Sequence, residues 1–88
     1  KKESHAKRSI LANGATVEGT VENSVISRNV TIGKGATIRN SIIFANCIIE
    51  PGAHLENVIL DKDVTITEGR QLMGSEEKPY VVAKRSRI

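Results

Sequence analysis

Two histidines are the residues in this 88-residue chain best suited to acid–base or metal chemistry. His54 is a candidate general base, because a neutral imidazole accepts a proton near neutral pH. It lies between Ala53 and Leu55, which fall in inward-facing columns of the repeat described below, so alternation directs His54 outward onto a flat sheet face. His5 lies far away in a charged stretch, and two histidines do not supply the three ligands of a histidine zinc site. We therefore predict no catalytic and no metal-binding residue.

Cys47 is the single cysteine, so the chain cannot form an internal disulfide. This fits a reducing compartment. Because Cys47 lies 17 residues from both Val30 and Val64, we expect a small buried hydrophobic residue rather than a reactive thiol.

Two short polar segments could bind a phosphate or a partner. Gly33-Lys34-Gly35 has the residue types of a phosphate-binding loop, but it recurs as Pro51-Gly52 and Glu68-Gly69 at a spacing of 17 residues. The recurrence predicts a structural corner and no cofactor site. Asp61-Lys62-Asp63 could contact a partner domain, although a solvated turn is the simpler interpretation.

The formal net charge of +3 comes from the two ends of the chain. Basic ends suggest either a nucleic-acid patch or solvated termini. Phe44 and Tyr80 are the two aromatic residues, so no platform for stacking bases accompanies these charges. No apolar run reaches the ~18 residues of a membrane span, and no signal peptide is evident. We expect a cytoplasmic fragment of a longer chain, with no nucleic-acid or membrane partner. The charged residues of the ends are Lys1, Lys2, Glu3, Lys7 and Arg8, and then Lys84, Arg85 and Arg87.

An internal repeat of 17 residues organises the chain. Such a period indicates a solenoid, in which each repeat stacks on the previous one. The repeated positions are Val21, Ile38, Leu55 and Leu72; Ile32, Ile49 and Ile66; Val30, Cys47 and Val64; Ala36 and Ala53; Gly35, Gly52 and Gly69; and the blocks starting at Asn23, Asn40 and Asn57.

Each repeat predicts three short strands separated by corners. In one repeat the strands are Val30-Thr31-Ile32, Ala36-Thr37-Ile38 and Ser41-Ile42-Ile43, with alternating inward and outward residues. Gly33-Lys34-Gly35 and Arg39-Asn40 form corners, since Gly and Asn adopt positive φ at low cost. Three strands in 17 residues leave no room for helices, so like strands must stack in parallel about 4.8 Å apart.

Two features of the repeat stay open at this level. Both residues of the third-strand pairs Val25-Ile26, Ile42-Ile43 and Ile59-Leu60 are apolar, so alternation alone does not decide which one faces inward. The corner between Val17 and Val21 is two residues shorter than the one between Ile32 and Ile38.

The segment from Val30 to Ile38 resembles the hexapeptide-repeat family, whose members form left-handed parallel β-helices. The left hand comes from this resemblance, because the general rule for parallel crossovers is right-handed. A closer resemblance is to the C-terminal domain of glucose-1-phosphate adenylyltransferase (ADP-glucose pyrophosphorylase), and the tail is most similar to the bacterial regulatory paralogue. The segments that carry this second resemblance are Val17-Glu18-Gly19-Thr20-Val21-Glu22-Asn23-Ser24-Val25-Ile26, Ile32-Gly33-Lys34-Gly35-Ala36, Asn40-Ser41-Ile42-Ile43, Gly52-Ala53-His54-Leu55, Val58-Ile59-Leu60-Asp61-Lys62-Asp63-Val64, Gly69-Arg70-Gln71-Leu72-Met73-Gly74 and Lys78-Pro79-Tyr80-Val81-Val82.

The resemblance implies a parent chain in glycogen biosynthesis with an N-terminal nucleotidyltransferase domain. That domain would convert ATP and glucose 1-phosphate into ADP-glucose and pyrophosphate. The β-helix would be a non-catalytic assembly and regulatory domain that contacts this domain, a catalytic paralogue or a second copy, near an effector site at the domain junction. The alternatives are part of a hexapeptide-repeat acyltransferase, which would need a loop inserted between coils, and the tail of another sugar-phosphate nucleotidyltransferase.

We predict a charged linker over residues 1–9, the left-handed β-helix over 10–72, and an extension over 73–88 with a capping strand at 79–83 and a basic tail. A solenoid of three to four coils exposes strand edges and apolar core at both ends. Its ends or faces are therefore expected to be covered by another domain or another copy.

Overall fold

Short strands and sharp corners fold the chain into three flat sheets around one core. The computed structural model describes residues 5–88. Sheet A contains β1 (His5–Lys7), β4 (Thr20–Glu22), β7 (Thr37–Arg39), β10 (His54–Glu56) and β13 (Gln71–Met73). Sheet B contains β2 (Ile10–Leu11), β5 (Val25–Ile26), β8 (Ile42–Ile43), β11 (Val58–Leu60) and β14 (Tyr80–Val82). Sheet C contains β3 (Thr16–Val17), β6 (Thr31–Ile32), β9 (Ile48–Ile49) and β12 (Thr65–Ile66).

The chain visits sheets A, B and C in turn, and the strands within each sheet pair in parallel. Ile32 pairs with Ile49, and Ile49 pairs with Ile66, so the strand register is the 17-residue period of the sequence. This is the predicted left-handed parallel β-helix, with about four turns. Among the described residues there is no helix long and apolar enough to cross a membrane.

Columns of like residues from the three sheets fill the interior. The third-strand question is decided here: the second residue of each pair faces inward, so Ile43 is fully buried while Ile42 is 39% exposed. Cys47 is also fully buried, as its column predicts. The buried hydrophobic residues are Val21, Ile26, Val30, Ile32, Ala36, Ile38, Ile43, Cys47, Ile49, Ala53, Leu55, Val58, Leu60, Val64, Ile66, Leu72 and Val82.

Buried serines precede β5 and β8 in sheet B, and the buried Val58 takes the same position in β11. Ser24 and Ser41 point inward just before their strands, and each hydroxyl donates to a carbonyl two residues earlier. The Ser24 hydroxyl also accepts from the N–H of Ser41 at 3.0 Å, and that of Ser41 accepts from the N–H of Val58 at 3.1 Å. Because the serine faces inward, alternation turns the next residue outward and the one after it inward.

Residues with positive φ mark the corners between sheets. Such conformations suit Gly best and Asn or Asp next, because a Cβ atom is disfavoured there. In the repeated corners φ is 51–55° at Asn23, Asn40 and Asn57, 59–65° at Asn29, Asn46 and Asp63, and 72–78° at Gly35, Gly52 and Gly69; Arg8, Gly14 and Arg85 also have positive φ in the first and last coils.

The first coil reaches the same register through a shorter corner. Val17 pairs with Ile32 and Val21 with Ile38, which confirms that two residues are missing between them. Gly19 occupies the tight corner, where a Cβ atom would lie 2.3 Å from the carbonyl oxygen of Ala36. A side chain at this position therefore requires a backbone shift.

The described residues at both ends take part in the solenoid. Strand β1 lies within the stretch predicted as a linker and pairs with β4, while residues 1–4 lie outside the described part. At the other end the chain leaves the solenoid after Gly74 and returns as β14, which pairs with β11. Arg87 then bridges to Thr65 in sheet C, and Ile88 packs against the core.

Candidate functional site

The histidine singled out as a possible base lies on the outer face of sheet A. His54 pairs in register with Thr37 and Gln71 on neighbouring coils. Its Nε2 atom lies 3.7 Å from Oε1 of Glu56, two residues along the same strand. The contact lies on a flat face, and His54 lines neither of the grooves described below. The His5 side chain lies outside the described part of the structure.

The Cys47 thiol is enclosed by the core and bound to the backbone. Its Sγ atom donates to the carbonyl oxygen of Asp61 at 3.1 Å. Burial raises the pKa of the Cys47 thiol, so the thiolate that would act as a nucleophile is disfavoured. The position is structural.

The corner at Gly33, Lys34 and Gly35 uses its backbone to join coils. The N–H of Gly33 donates to the carbonyl of Ile49 at 2.7 Å, and the carbonyl of Lys34 accepts from Gly52 at 3.1 Å. A phosphate cradle needs several free N–H groups converging on one point. A Cβ atom on Gly33 would lie 2.7 Å from the backbone nitrogen of Pro51, so close coil packing accounts for this glycine.

The acidic corner at Asp61, Lys62 and Asp63 is stabilised by a hydrogen bond between the Asp61 side chain and its own backbone. The Asp61 Oδ1 atom accepts from the N–H of Lys62 at 2.7 Å, and Asp63 adopts a φ of 61°. Within the described residues no group of three His, Cys, Asp or Glu side chains is placed to hold a metal ion.

Asparagine side chains form ladders along two of the corners. The Nδ2 atom of Asn23 donates to Oδ1 of Asn40 at 2.7 Å, and Asn29 donates to Asn46 at the same distance. Stacked amides link coils at positions whose backbone conformation already favours Asn. These ladders account for the recurrence of Asn at the two corners.

The outer face of sheet B is apolar from one end to the other, unlike the outer faces of sheets A and C. Its outward positions are in register, and Ile10 is 67% exposed, Val81 64% and Ile42 39%. The apolar column comprises Ile10, Val25, Ile42, Ile59 and Val81. Sequence reasoning missed this surface, although the consecutive apolar pairs carried a signal for it, because a strand can turn only one member of each pair inward.

Two grooves flank this apolar column, and both include Val25. The first, of about 340 Å³, runs along the starts of the sheet B strands beside the asparagine corner and is bounded by Glu76 and Pro79. We call it the asparagine groove. The second, of about 430 Å³, runs along the ends of the strands and includes Phe44, Arg28 and Lys62. We call it the phenylalanine groove. The three features together make sheet B the candidate interaction surface.

Comparison with known proteins agrees with the repeat architecture. The family model described as "GlmU-like, C-terminal hexapeptide" matches residues 1–82. The chain is 60% identical over 83 residues to the glycogen biosynthesis protein GlgD of Geobacillus stearothermophilus, and 52% identical over 83 residues to GlgD of Bacillus subtilis (strain 168). Each alignment covers 94% of this chain, which spans 24% of the length of either relative. No solved structure gives a significant match.

Proposed function

The chain belongs to the family of GlmU-like C-terminal hexapeptide domains, and from this premise we propose that it is a non-catalytic assembly and regulatory domain of a protein in glycogen biosynthesis. The parent protein is proposed to be a glucose-1-phosphate adenylyltransferase, which forms ADP-glucose and pyrophosphate from ATP and glucose 1-phosphate, or its regulatory subunit. The relatives named GlgD support the link to glycogen biosynthesis, because the identity extends over 94% of the chain.

The observation that carries a binding role is the apolar outer face of sheet B. An apolar stripe that runs along a whole sheet face is typical of an interaction site, whereas isolated exposed apolar residues are not. The chemically capable residues support the same conclusion, since His54 pairs with Glu56 and Cys47 is enclosed by the core. We therefore assign the domain to contacts between domains or subunits.

The proposed partners are a nucleotidyltransferase domain of the parent chain, a catalytic paralogue and a second copy of this chain. A small-molecule effector is proposed to act near the junction between the two domains. Each of these partners can use the exposed sheet face without chemistry by the β-helix itself.

The test is ADP-glucose formation by the full-length parent protein, with and without this domain and with and without its catalytic paralogue. Deletion of the domain is expected to abolish cooperativity or the response to effectors while the catalytic residues remain present. The matched control is the full-length protein with the single change His54→Ala, which is expected to leave activity unchanged.

Two outcomes would redirect the assignment. If no combination forms ADP-glucose, the domain belongs to another sugar-phosphate nucleotidyltransferase or to a hexapeptide-repeat acyltransferase. If His54→Ala instead removes an acyl-transfer activity, the acyltransferase alternative is correct and the histidine is a base.

A further inference from the structure

We propose that two copies of this chain pack sheet B against sheet B, around a two-fold axis that runs parallel to the solenoid axis. This inference rests on the proposed assembly function and identifies the face, the partner and the symmetry that serve it. The apolar columns of the two copies would lie along the axis, facing each other.

The first observation is the length and continuity of the apolar column. It extends through all five strands of sheet B, from Ile10 in β2 to Val81 in β14. The outward positions of sheet C at the same level are mostly threonines, with Ile48 as the exception. Five apolar residues in one register on one side indicate a surface that is buried in an assembly.

The second observation is the period shared by two identical solenoids. A two-fold axis parallel to the solenoid axis keeps each coil at its own height, so Ile42 meets Ile42 and every other coil meets its own copy. An axis along the strands would invert one solenoid, and Ile10 would then face the level of Val81. The parallel axis brings identical apolar side chains together along the whole face.

The third observation is the charge on the two sides of the column. Glu76 is the charged residue that lines the asparagine groove, whereas Arg28 and Lys62 line the phenylalanine groove. The parallel axis places the start of each strand opposite the end of the partner's strand. At the level of the adjacent strands β11 and β14 it therefore sets Glu76 of one copy against Lys62 of the other, which is favourable in both halves of the interface.

The size of the face predicts weak association. Five stacked strands make a face about 19 Å tall, and the molecule is 23 Å across. Full contact would bury roughly 900 Å² in total, less than the ~1,200–2,000 Å² of stable interfaces. The dimer of this chain is therefore expected to depend on concentration.

Cross-linking through Ile42 tests the symmetry directly. The Ile42→Cys variant of the full chain is treated with a short bis-maleimide across a range of concentrations, and a covalent dimer is expected because the axis places this residue opposite its own copy. Thr31→Cys on sheet C and Thr37→Cys on sheet A are matched controls in the same repeat, and neither should cross-link in comparable yield. Circular dichroism checks that all three variants are folded.

Charge reversal tests the orientation of the two copies. Sedimentation should show that Glu76→Lys and Lys62→Glu, which lie next to the adjacent strands β14 and β11, each weaken self-association by roughly twofold to fivefold, the range of exposed ion pairs. The double variant should recover most of the loss, and high salt should reduce the effect of each single change.

Three results would overturn this inference. They are a chain that stays monomeric at the highest concentration, equal cross-linking at Ile42→Cys and Thr31→Cys, and a double charge variant weaker than both single variants. None of them bears on the assembly function itself, which is tested by effector response and ADP-glucose formation in the full-length protein.

Discussion

Sheets A and B are both built from short parallel strands, yet their outer faces differ. The outward side chains of sheet A find charged partners on neighbouring coils, whereas those of sheet B are apolar and exposed. Sheet A carries charged partners in register, and the Nε atom of Arg39 lies 3.3 Å from Oε1 of Glu22 on the adjacent coil. Glu56, which pairs in register with Arg39 from the following coil, lies beside His54. Sheet B presents an apolar column at the corresponding outward positions. Sheet A presents charged side chains to water, whereas sheet B leaves a column of apolar side chains exposed.

This difference shows that, in a solenoid, the residues that stabilise the fold and the residues that form the outer surface occupy separate columns. The inward residues of both sheets belong to the same core and determine stability, while the outward residues of each column can change without disturbing the coil. Each outward column repeats at the coil spacing, so a face acquires one chemical character along its whole length. The contrast can be tested at the core, at the corner that joins the two sheets, at the outer faces and at Cys47.

The largest expected effect comes from the core positions, where sheets A and B should behave alike. Leu55→Ala and Ile43→Ala each remove a fully buried side chain, so each should lower the free energy of unfolding by about 2–5 kcal/mol. Urea denaturation followed by circular dichroism measures the loss. Ile42→Ala is the control on sheet B and, at a half-buried position, should cost less than either core change, about 1 kcal/mol. A core loss confined to one of the two sheets would break the comparison.

A smaller effect is expected at the corner between sheets A and B. Asn40 has a φ of 51° and accepts a hydrogen bond from Asn23. Asn40→Ala should destabilise by about 1–2 kcal/mol, because it combines backbone strain with the loss of a ladder bond. Asn40→Gly keeps the backbone conformation accessible and should cost less. If the two variants are equally destabilised in urea, the ladder rather than the conformation is responsible.

The outer faces should respond weakly in stability, and the ion pair on sheet A should depend on salt. A double-mutant cycle with Arg39→Gln and Glu22→Gln on sheet A should give a coupling of about 0.2–1 kcal/mol, which is reduced at high salt. Ile42→Thr on sheet B should leave unfolding nearly unchanged but weaken self-association in sedimentation. An ion-pair coupling that is unaffected by salt, or an Ile42→Thr variant that unfolds readily, would contradict this division of roles.

The smallest expected effect concerns the pH dependence at Cys47. Burial raises the pKa of this thiol above its ordinary value of 9.0, so the folded state retains the proton that the unfolded state releases. Its contribution to stability is complete below pH 9.0 and decreases as the pH rises through the folded-state pKa. Iodoacetamide should therefore modify Cys47 slowly at pH 8, and the outward thiol of Ile42→Cys rapidly. Equal rates of alkylation at the two thiols would show that the interior opens readily. The Cys47→Val variant, which lacks the titrating thiol, is the control for the pH dependence of stability.

The repeat made most of the fold predictable, since the register of Ile32, Ile49 and Ile66 follows from the 17-residue spacing alone. The burial of Cys47 and the outward position of His54 followed from the same spacing and from alternation. The candidate interaction surface was not predicted, because assigning it required the facing of Val25 and Ile42. The strand at His5–Lys7 was not anticipated either, since its charged sequence carries no apolar alternation.

By itself, the sequence determined the period, the corners and most core columns, because these depend on local φ preference and on alternation between neighbouring residues. The tertiary structure alone decided the inward phase of sheet B, where the Ser24 and Ser41 hydroxyls bind backbone groups of the same and the following coil. It thereby decided that one apolar column lies outside. The physical reason is that two adjacent apolar residues are equivalent by hydrophobicity alone, so the buried residue before each pair, Ser24, Ser41 or Val58, determines by alternation which of the two faces inward.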